Sequence, residues 1–403
     1  MTEAPAAVVE THTAVLFFVG DRVYKLKKPV DLGFLDHRTR EARLAACQQE
    51  VALNRRLAPD VYLGVLDVVD ADGAPQDHLV SMVRMPDDRR LTRCLARGED
   101  LDRSLRAIAH AVAALHEEVP SDPVHDELAS PAAVRGRWEA SFEQLRSLPV
   151  GDPDLTRRLA RIEGLARRYL DGRSPLFEQR IADGRVRDGH GDLQAEDIFV
   201  LDDGPRILDC IEFGEAYRWG DVLADVAFLA MDLERLGRPD LGERFLALHR
   251  ELSADRWPAS LAHHLVAYRA HVRVKVGLLR AAQHDEPVPD EVAALVDLAL
   301  RHLEAGRVRL VLVGGLPGTG KSTLAAGLGD HLGAVVLRTD EVRQRLAVAH
   351  PQDAAERYRP ESVAAVYREV LDEARRLLAL GEHVVLDATW ADEAERGRAR
   401  DVA

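Results

Sequence analysis

At 403 residues the chain is long enough for two or three domains that each bury a core, and its 46% hydrophobic and 30% charged content is ordinary for a globular protein. A net charge of -14 excludes a general nucleic-acid binder, whose phosphate contacts call for a basic face, and suits an acidic cleft for a small-molecule substrate. The three cysteines, Cys47, Cys94 and Cys210, are too few and too scattered for a disulfide framework or a zinc ligand set. The start Met1-Thr2-Glu3-Ala4-Pro5 lacks the basic and apolar regions of a signal peptide, and no stretch approaches the ~18 apolar residues of a membrane span. A cytoplasmic protein without membrane contact is therefore expected.

In chain order, residues 14–18 (Ala-Val-Leu-Phe-Phe) and 22–27 (Arg-Val-Tyr-Lys-Leu-Lys) predict two strands joined by a hairpin at Gly20-Asp21. After a loop with Pro29 and Gly33, residues 38–57 predict a charged helix with Leu44, Cys47, Val51 and Leu57 near helical spacing. Strands at 61–69 and 79–85 complete a small sheet with one helix on it. From residue 89 the pattern turns helical, and Leu101, Leu105, Ile108, Val112 and Leu115 form one apolar stripe. Residues 131–184 are mostly helical, broken at Pro149 and Pro153 and near Gly172 and Pro175. A β interlude follows at 185–188, 198–201 and 206–213, with a turn at Asp202-Asp203-Gly204-Pro205 and Cys210 expected buried in the last strand. Helices return over 220–281 and 289–305, and a domain boundary is expected near Gly306.

The boundary is set by what comes next. Val308 to Val313 is an apolar strand leading into Gly315-Leu316-Pro317-Gly318-Thr319-Gly320-Lys321-Ser322-Thr323, a complete G-x-x-x-x-G-K-[ST] loop followed by a helix. Gly315, Gly318 and Gly320 let the backbone wrap a phosphate, Lys321 reaches the β/γ-phosphates, and Ser322 ligates Mg2+, with Thr323 beside it. Two further strands end in acids, 334–338 before Thr339-Asp340 and 384–387 at Asp387. This layout resembles the small-molecule P-loop kinases, such as gluconate and shikimate kinases and zeta-toxin-like enzymes. The resemblance implies that Asp340 contacts or deprotonates an acceptor hydroxyl and that Asp387 acts on magnesium. Because the chain stops at Ala403, soon after the third strand, an incomplete parallel sheet with an open edge and a truncated domain are expected.

A second constellation lies upstream: His190-Gly191-Asp192-Leu193-Gln194-Ala195-Glu196-Asp197, then Ile207-Leu208-Asp209-Cys210-Ile211-Glu212-Phe213. Two acids five residues apart and a third beyond a short hairpin can converge on one magnesium-phosphate centre. Only five of the 54 basic residues are lysines, and Lys25, Lys27 and Lys28 crowd at the first hairpin while Lys321 sits in the phosphate loop. These residues resemble the aminoglycoside phosphotransferase and choline kinase-like family, whose catalytic loop reads H-G-D-x-x-x-x-N. The resemblance implies Asp192 as catalytic base, Asp197 and Asp209 as metal ligands, and Lys25 pairing with ATP phosphates while held by Glu50. Lys27, on the same strand face, is the rival for that lysine. Leu115-His116 also looks like the family, and Asp221 and Asp225, four apart on a helix, are expected to stabilise a nearby loop, in a region that family members use to support the catalytic segment. Asp197 stands where the family has Asn, Gln194 replaces a common His, and no glycine-rich loop precedes Lys25, which leaves Glu10 to Thr13 to cover the phosphates.

The fold expected is an α+β protein-kinase-like two-lobe domain followed by an incomplete α/β P-loop NTPase domain. The segments are 1–88 (smaller lobe), 89–305 (helical lobe) and 306–403 (P-loop domain), an arrangement that resembles bacterial fusions of such a kinase with a P-loop ATPase-type domain. The function implied is ATP- and Mg2+-dependent phosphorylation of a small-molecule hydroxyl on a sugar, amino sugar or aminoglycoside. A nucleotide-sensing or pseudokinase role, and a P-loop half that does the main chemistry, stay open. The sequence does not fix the acceptor or the oligomeric state.

Overall fold

The computed structural model describes residues 7–33, 35–148, 150–349 and 359–403, so the expected break at Pro149 lies outside the described residues. Its elements in chain order are Ala7–Glu10 (β1), Ala14–Val19 (β2), Arg22–Lys27 (β3), Arg40–Asn54 (α1), Tyr62–Val69 (β4), Pro75–Val83 (β5), Leu91–Ala96 (α2) and Asp102–Glu118 (α3). Pro131–Arg146 (α4), Pro153–Leu170 (α5), Ser174–Ala182 (α6), Val186–Asp188 (β6), Ile198–Leu201 (β7), Gly204–Ile207 (β8), Glu215–Arg218 (α7) and Trp219–Asp221 (β9) follow. Next come Val222–Arg235 (α8), Pro239–Ser253 (α9), Ala259–His284 (α10) and Asp290–Ala305 (α11). Leu310–Gly314 (β10), Lys321–Leu332 (α12), Val335–Arg338 (β11), Thr339–Ala349 (α13), Pro360–Ala379 (α14), Val384–Ala388 (β12) and Glu393–Val402 (α15) complete the chain.

These elements form two compact units, residues 1–133 with 180–256 and residues 134–179 with 257–403. The helices of the 89–305 segment are shared between the two. In the first unit, β1-β2-β3-β5-β4 make an antiparallel sheet. Alternation along β2 and β3 puts Leu16, Phe18, Val23, Lys25 and Lys27 on one face, and α1 covers it. The helix starts where Thr39 caps the amide of Ala42. It turns Cys47, Glu50, Val51 and Asn54, spaced at three and four, inward onto Val23, Val80 and Met82. The rest of this unit is helical except for the β7–β8 hairpin and the β6–β9 pair, giving the α+β build expected.

The second unit holds a parallel sheet in the order β10-β12-β11, with α12, α13 and α14 connecting its strands. Val384 to Asp387 pair with β10 on one side and β11 on the other, so the central strand is wholly buried and apolar up to Leu386, with Asp387 the one charge near its C-terminal end.

Several elements depart from expectation. β1 adds an edge strand where the sequence signalled only a turn, because its four residues are all exposed and carry no alternation. The strand expected over 206–213 ends at Ile207, and Cys210, though buried, lies in the following loop. The break has a backbone cause, since Asp209 takes a left-handed φ of 63°, which ends pairing. The helices expected over 220–281 are three, separated at Gly237 before Pro239 and at Ala254, φ 51°, before Pro258, and the last of them runs on to His284. No helix among the described residues is long and apolar enough to cross a membrane.

The second unit also buries an imidazole seam. Trp138 on α4 donates to His264 Nε2 at 3.0 Å, Tyr169 on α5 stacks on the same ring, and His271 lies against Trp138 and Phe142. Burial holds His264 and His271 down at about 3, and both are neutral. Each takes up a proton in the unfolded chain below about pH 6.5 but in the folded chain only near pH 3, so stability rises with pH across that interval and falls on acidification. Neither nitrogen of His271 has a hydrogen-bond partner, so an apolar ring can replace it. We predict that His271→Phe flattens the loss of unfolding free energy between pH 7 and pH 5 by about 2 kcal/mol, read from urea midpoints at the two pH values.

Candidate functional site

The first unit gathers its charged residues where the sheet, α1 and the 188–213 loops meet. Lys25 Nζ lies 2.8 Å from Asp209 Oδ1 and 2.9 Å from Glu50 Oε1. Lys27 Nζ lies 2.7 Å from Glu50 Oε2 and 2.5 Å from Glu212 Oε1. Glu50 therefore holds both lysines. They differ in access, because the Lys25 side chain is 14% exposed and its partner Asp209 is 55% exposed, whereas Lys27 is 2% exposed. Lys25 is the lysine that faces an opening. Burial alone would lower both ammonium groups. Asp209 and Glu50 outweigh it for Lys25, holding it well above the usual lysine range, and Glu50 and Glu212 raise Lys27. Burial alone would likewise raise Glu50, yet Lys25 and Lys27 hold its carboxyl below the usual range.

The catalytic-loop candidates are held through their backbone. Asp225 on α8, 4% exposed, accepts from the amides of His190 at 2.5 Å and Gly191 at 2.8 Å, and His116 Nε2 stands 3.3 Å from the same carboxylate. A Cβ on Gly189 would fall 2.0 Å from Asp225 Oδ2, and one on Gly191, which has φ +86°, would meet the Tyr217 carbonyl at 2.9 Å. Close approach is thus the reason for glycine at both places. Two turns further along α8, Asp232 Oδ2 accepts from the Ala195 amide at 2.9 Å.

His190 Nε2 is 3.0 Å from the Leu208 carbonyl, which can only accept, so Nε2 carries the proton and Nδ1 faces the Asp192 amide at 3.4 Å. Burial lowers this imidazole and keeps it neutral. Gln194 Nε2 donates to Asp192 Oδ2 at 2.8 Å, so the residue that replaces the family's His orients the candidate base.

The metal-ligand candidates repel one another. Burial, then the Asp209 and Asp192 carboxylates, push Asp197 well above the usual carboxylate range, while Lys25 holds Asp209 below it. Among the described residues no three acid, histidine or cysteine side chains stand close enough to hold a metal by themselves. Magnesium in phosphate sites takes one or two carboxylates and completes its shell with water and phosphate oxygens. Asp197 and Asp209 fit that ion in company with a nucleotide, since a divalent cation relieves the crowding that raises Asp197.

Residues not foreseen tie these loops together. Asn54 accepts from the Cys210 amide at 2.9 Å, and Arg56 donates to the Asp188 and Gly189 carbonyls at 3.1 and 2.9 Å. Arg218 joins Asp188 Oδ1, at 2.7 Å, to the Ile211 carbonyl, at 2.9 Å. Asp232 had a usable signal, since it lies seven residues, two turns, after Asp225 on one helix face. Where a glycine-rich loop is lacking, the turn after β1 is pinned instead: Lys28 pairs with Glu10 at 2.6 Å and donates to the Thr11 carbonyl.

The second unit presents its own site at the C-terminal ends of its strands, where α/β sheets bind ligands. Gly318 and Gly320 take φ values of 83° and 84°, which turn the loop into the first residue of α12, Lys321. Ser322 and Thr323 follow, both exposed, in the same first turn. A Cβ on Gly315 would meet Thr319 Oγ1 at 2.8 Å. Asp387 pairs across the central strand with Val313 and Arg338, one residue before the pair Gly314–Ala388. It is 4% exposed, its Oδ1 has no hydrogen-bond partner, and Arg338 Nε is 3.9 Å from Oδ2. A buried, unpartnered carboxylate oxygen beside a phosphate loop fits a magnesium ion or its water. Asp340 stands apart from this arrangement as an exposed acid in the first turn of α13, paired with Arg343 at 2.5 Å.

The AAA domain family matches residues 310–403. Across 405 aligned residues the chain is 43% identical to the uncharacterized protein Rv2004c of Mycobacterium tuberculosis (strain H37Rv), covering 98% of this chain and 80% of that one. The figures are the same for the uncharacterized protein Mb2027c of Mycobacterium bovis. Among solved structures, a choline/ethanolamine kinase family protein from Mesorhizobium loti aligns at 17% identity and a TM-score of 0.43, over 75% of this chain and 87% of that one. Choline kinase from Cryptosporidium parvum aligns at 13% identity and a TM-score of 0.44, over 74% and 89%. Likenesses of this size carry no argument about activity.

The steric account of the 188–192 loop is directly checkable. Gly189→Ala drives a Cβ into the Asp225 carboxylate and is predicted to cost about 1–3 kcal/mol. Gly220→Ala, where a Cβ meets nothing within 4 Å, serves as the control and leaves the urea midpoint within experimental error of the parent.

Proposed function

The chain belongs to the family of the mycobacterial proteins Rv2004c and Mb2027c, and we propose that it is an ATP- and magnesium-dependent phosphotransferase whose chemistry resides in the first unit. The observation that carries this reading is the set Lys25, Glu50, Asp192, Asp197 and Asp209, in which Lys25 is salt-bridged to Glu50 and Asp209, Gln194 holds Asp192, and Asp209 and Asp192 lie close enough to raise Asp197. The acceptor is a hydroxyl of a small molecule, a sugar, amino sugar or aminoglycoside-like compound, and the protein works in the cytoplasm without a nucleic-acid or membrane partner.

Each residue has a distinct task. Asp192, oriented by Gln194, takes the proton of the acceptor hydroxyl as the new bond from oxygen to the γ-phosphorus forms and the bond to the bridging oxygen breaks, leaving ADP. Lys25 leaves Asp209 for the α/β-phosphates and keeps Glu50 as its anchor. Asp197 and Asp209 would hold magnesium. When bound, that ion neutralises the phosphate oxygens and orients them for in-line transfer. The second unit binds another nucleotide at Gly315, Gly318, Gly320, Lys321, Ser322 and Thr323, with Asp387 toward its magnesium. The unpartnered Oδ1 of Asp387 favours a working site there, and Asp340 is that site's candidate for the acceptor.

Two variants separate the possibilities across a sugar and aminoglycoside panel. Asp192→Ala is predicted to lower transfer by at least about 100-fold while ATP still binds, and Lys321→Ala to remove nucleotide from the phosphate loop while transfer persists. Full transfer in Asp192→Ala with loss in Lys321→Ala assigns the chemistry to the second unit. If neither substitution alters ATP consumption, both enzyme readings fail and a nucleotide sensor remains.

A further inference from the structure

Lys27 and Glu212 are left without a task by the reaction just described. Lys27 is 2% exposed and Glu50 0%, so Lys27 cannot reach a nucleotide without abandoning two carboxylates in a dry interior. Its partners come from different parts of the chain: Glu50 from α1 at 2.7 Å, and Glu212, three residues beyond Asp209, at 2.5 Å. Lys27 thus ties the sheet to the loop that carries the candidate metal ligand.

That loop needs fixing. Asp209 sits at φ 63°, and a non-glycine residue keeps such a conformation only where its surroundings over-determine it. The backbone on either side is held by Tyr62 Oη, 3.3 Å from the Asp209 amide, by Asn54 at the Cys210 amide, and by Arg218 at the Ile211 carbonyl. Glu212 supplies a further hold on this loop, a charged side chain bonded to the buried lysine of β3.

Lys27 also answers a problem raised by catalysis. When Lys25 shares its ammonium charge between Glu50 and a phosphate, Lys27 on Oε2 keeps a second, undivided counter-charge on the fully buried carboxylate.

We infer that Lys27 and Glu212 form a buried latch whose task is to position the Asp209 loop for the magnesium-nucleotide complex. Neither touches the reacting atoms, so both are positioning residues. The inference rests on the reading that Asp209 is a metal ligand, and its test keeps the two apart.

The protein is the full chain carrying Lys321→Ala, which removes the second nucleotide site, with and without Glu212→Gln. Glu212→Gln preserves shape and an acceptor oxygen while deleting the charge. Hydrogen exchange of residues 208–214 is measured without ligand, and a fluorescent ATP analogue is titrated with and without Mg2+. The latch predicts faster exchange in 208–214 and binding weakened by about 10- to 100-fold in Mg2+ alone, the size expected when the support of a metal ligand is lost. Lys27→Arg, which keeps the charge, is predicted to hold binding closer to the parent than Lys27→Met does. Unchanged exchange together with unchanged Mg2+-dependent affinity in Glu212→Gln overturns the latch, as does a loss equal with and without Mg2+. If the parent shows no Mg2+-dependent binding, the phosphotransferase reading falls, and the exchange rates alone still decide whether the latch holds the loop.

Discussion

One buried carboxylate organises the first unit. Glu50 is wholly inaccessible, and a lone charge in such a place is untenable; it persists because each of its oxygens meets a lysine of β3. That constraint fixes the rest in turn. The register of β3 must turn Lys25 and Lys27 to the face that α1 covers. The helix must present Glu50 and Asn54 one turn apart, and the loop after β8 must bring Asp209 and Glu212 to the far side of the same lysines. Two lysines and three carboxylates meet across three chain segments, and the Lys25–Asp209 side of the cluster is the more open one.

A second constraint acts on the backbone. The loop from Gly189 to Gln194 joins β6 to a short 3-10 turn at Ala195–Asp197, and the amides of His190, Gly191 and Ala195 end on Asp225 and Asp232, both buried on α8. Buried amides must be paired, so these acids set the path of the loop and leave the side chains of Asp192 and Asp197 to face the chemistry. The site is thereby built from rigid elements on both sides: the sheet and α1 place the lysines, and α8 places the acids.

Much of this was legible before any coordinates. The hairpin at Gly20-Asp21, the helix carrying Glu50 and the phosphate loop at 315–323 all follow from local pattern, and each occupies the element expected of it. What was not legible is non-local or conformational. Lys27 and Glu212 are 185 residues apart in sequence, and nothing in either neighbourhood says that one buries the other's charge. The left-handed Asp209 ended a strand whose residue types read as continuous β, because the hold on the Asp209 and Cys210 amides comes from Tyr62 and Asn54, not from the strand itself. The difference in burial between Lys25 and Lys27 likewise could not come from alternation along β3, since both point to the same face.

The most direct test of the account is where a metal goes. A crystal structure of the full chain with Mn2+ and a non-hydrolysable ATP analogue locates the ion by its anomalous scattering. The account predicts a peak between the carboxylates of Asp197 and Asp209, with Lys25 turned from Asp209 to the phosphates and still bonded to Glu50. A peak confined to Ser322 and Asp387, with Lys25 unmoved from Asp209, would contradict it.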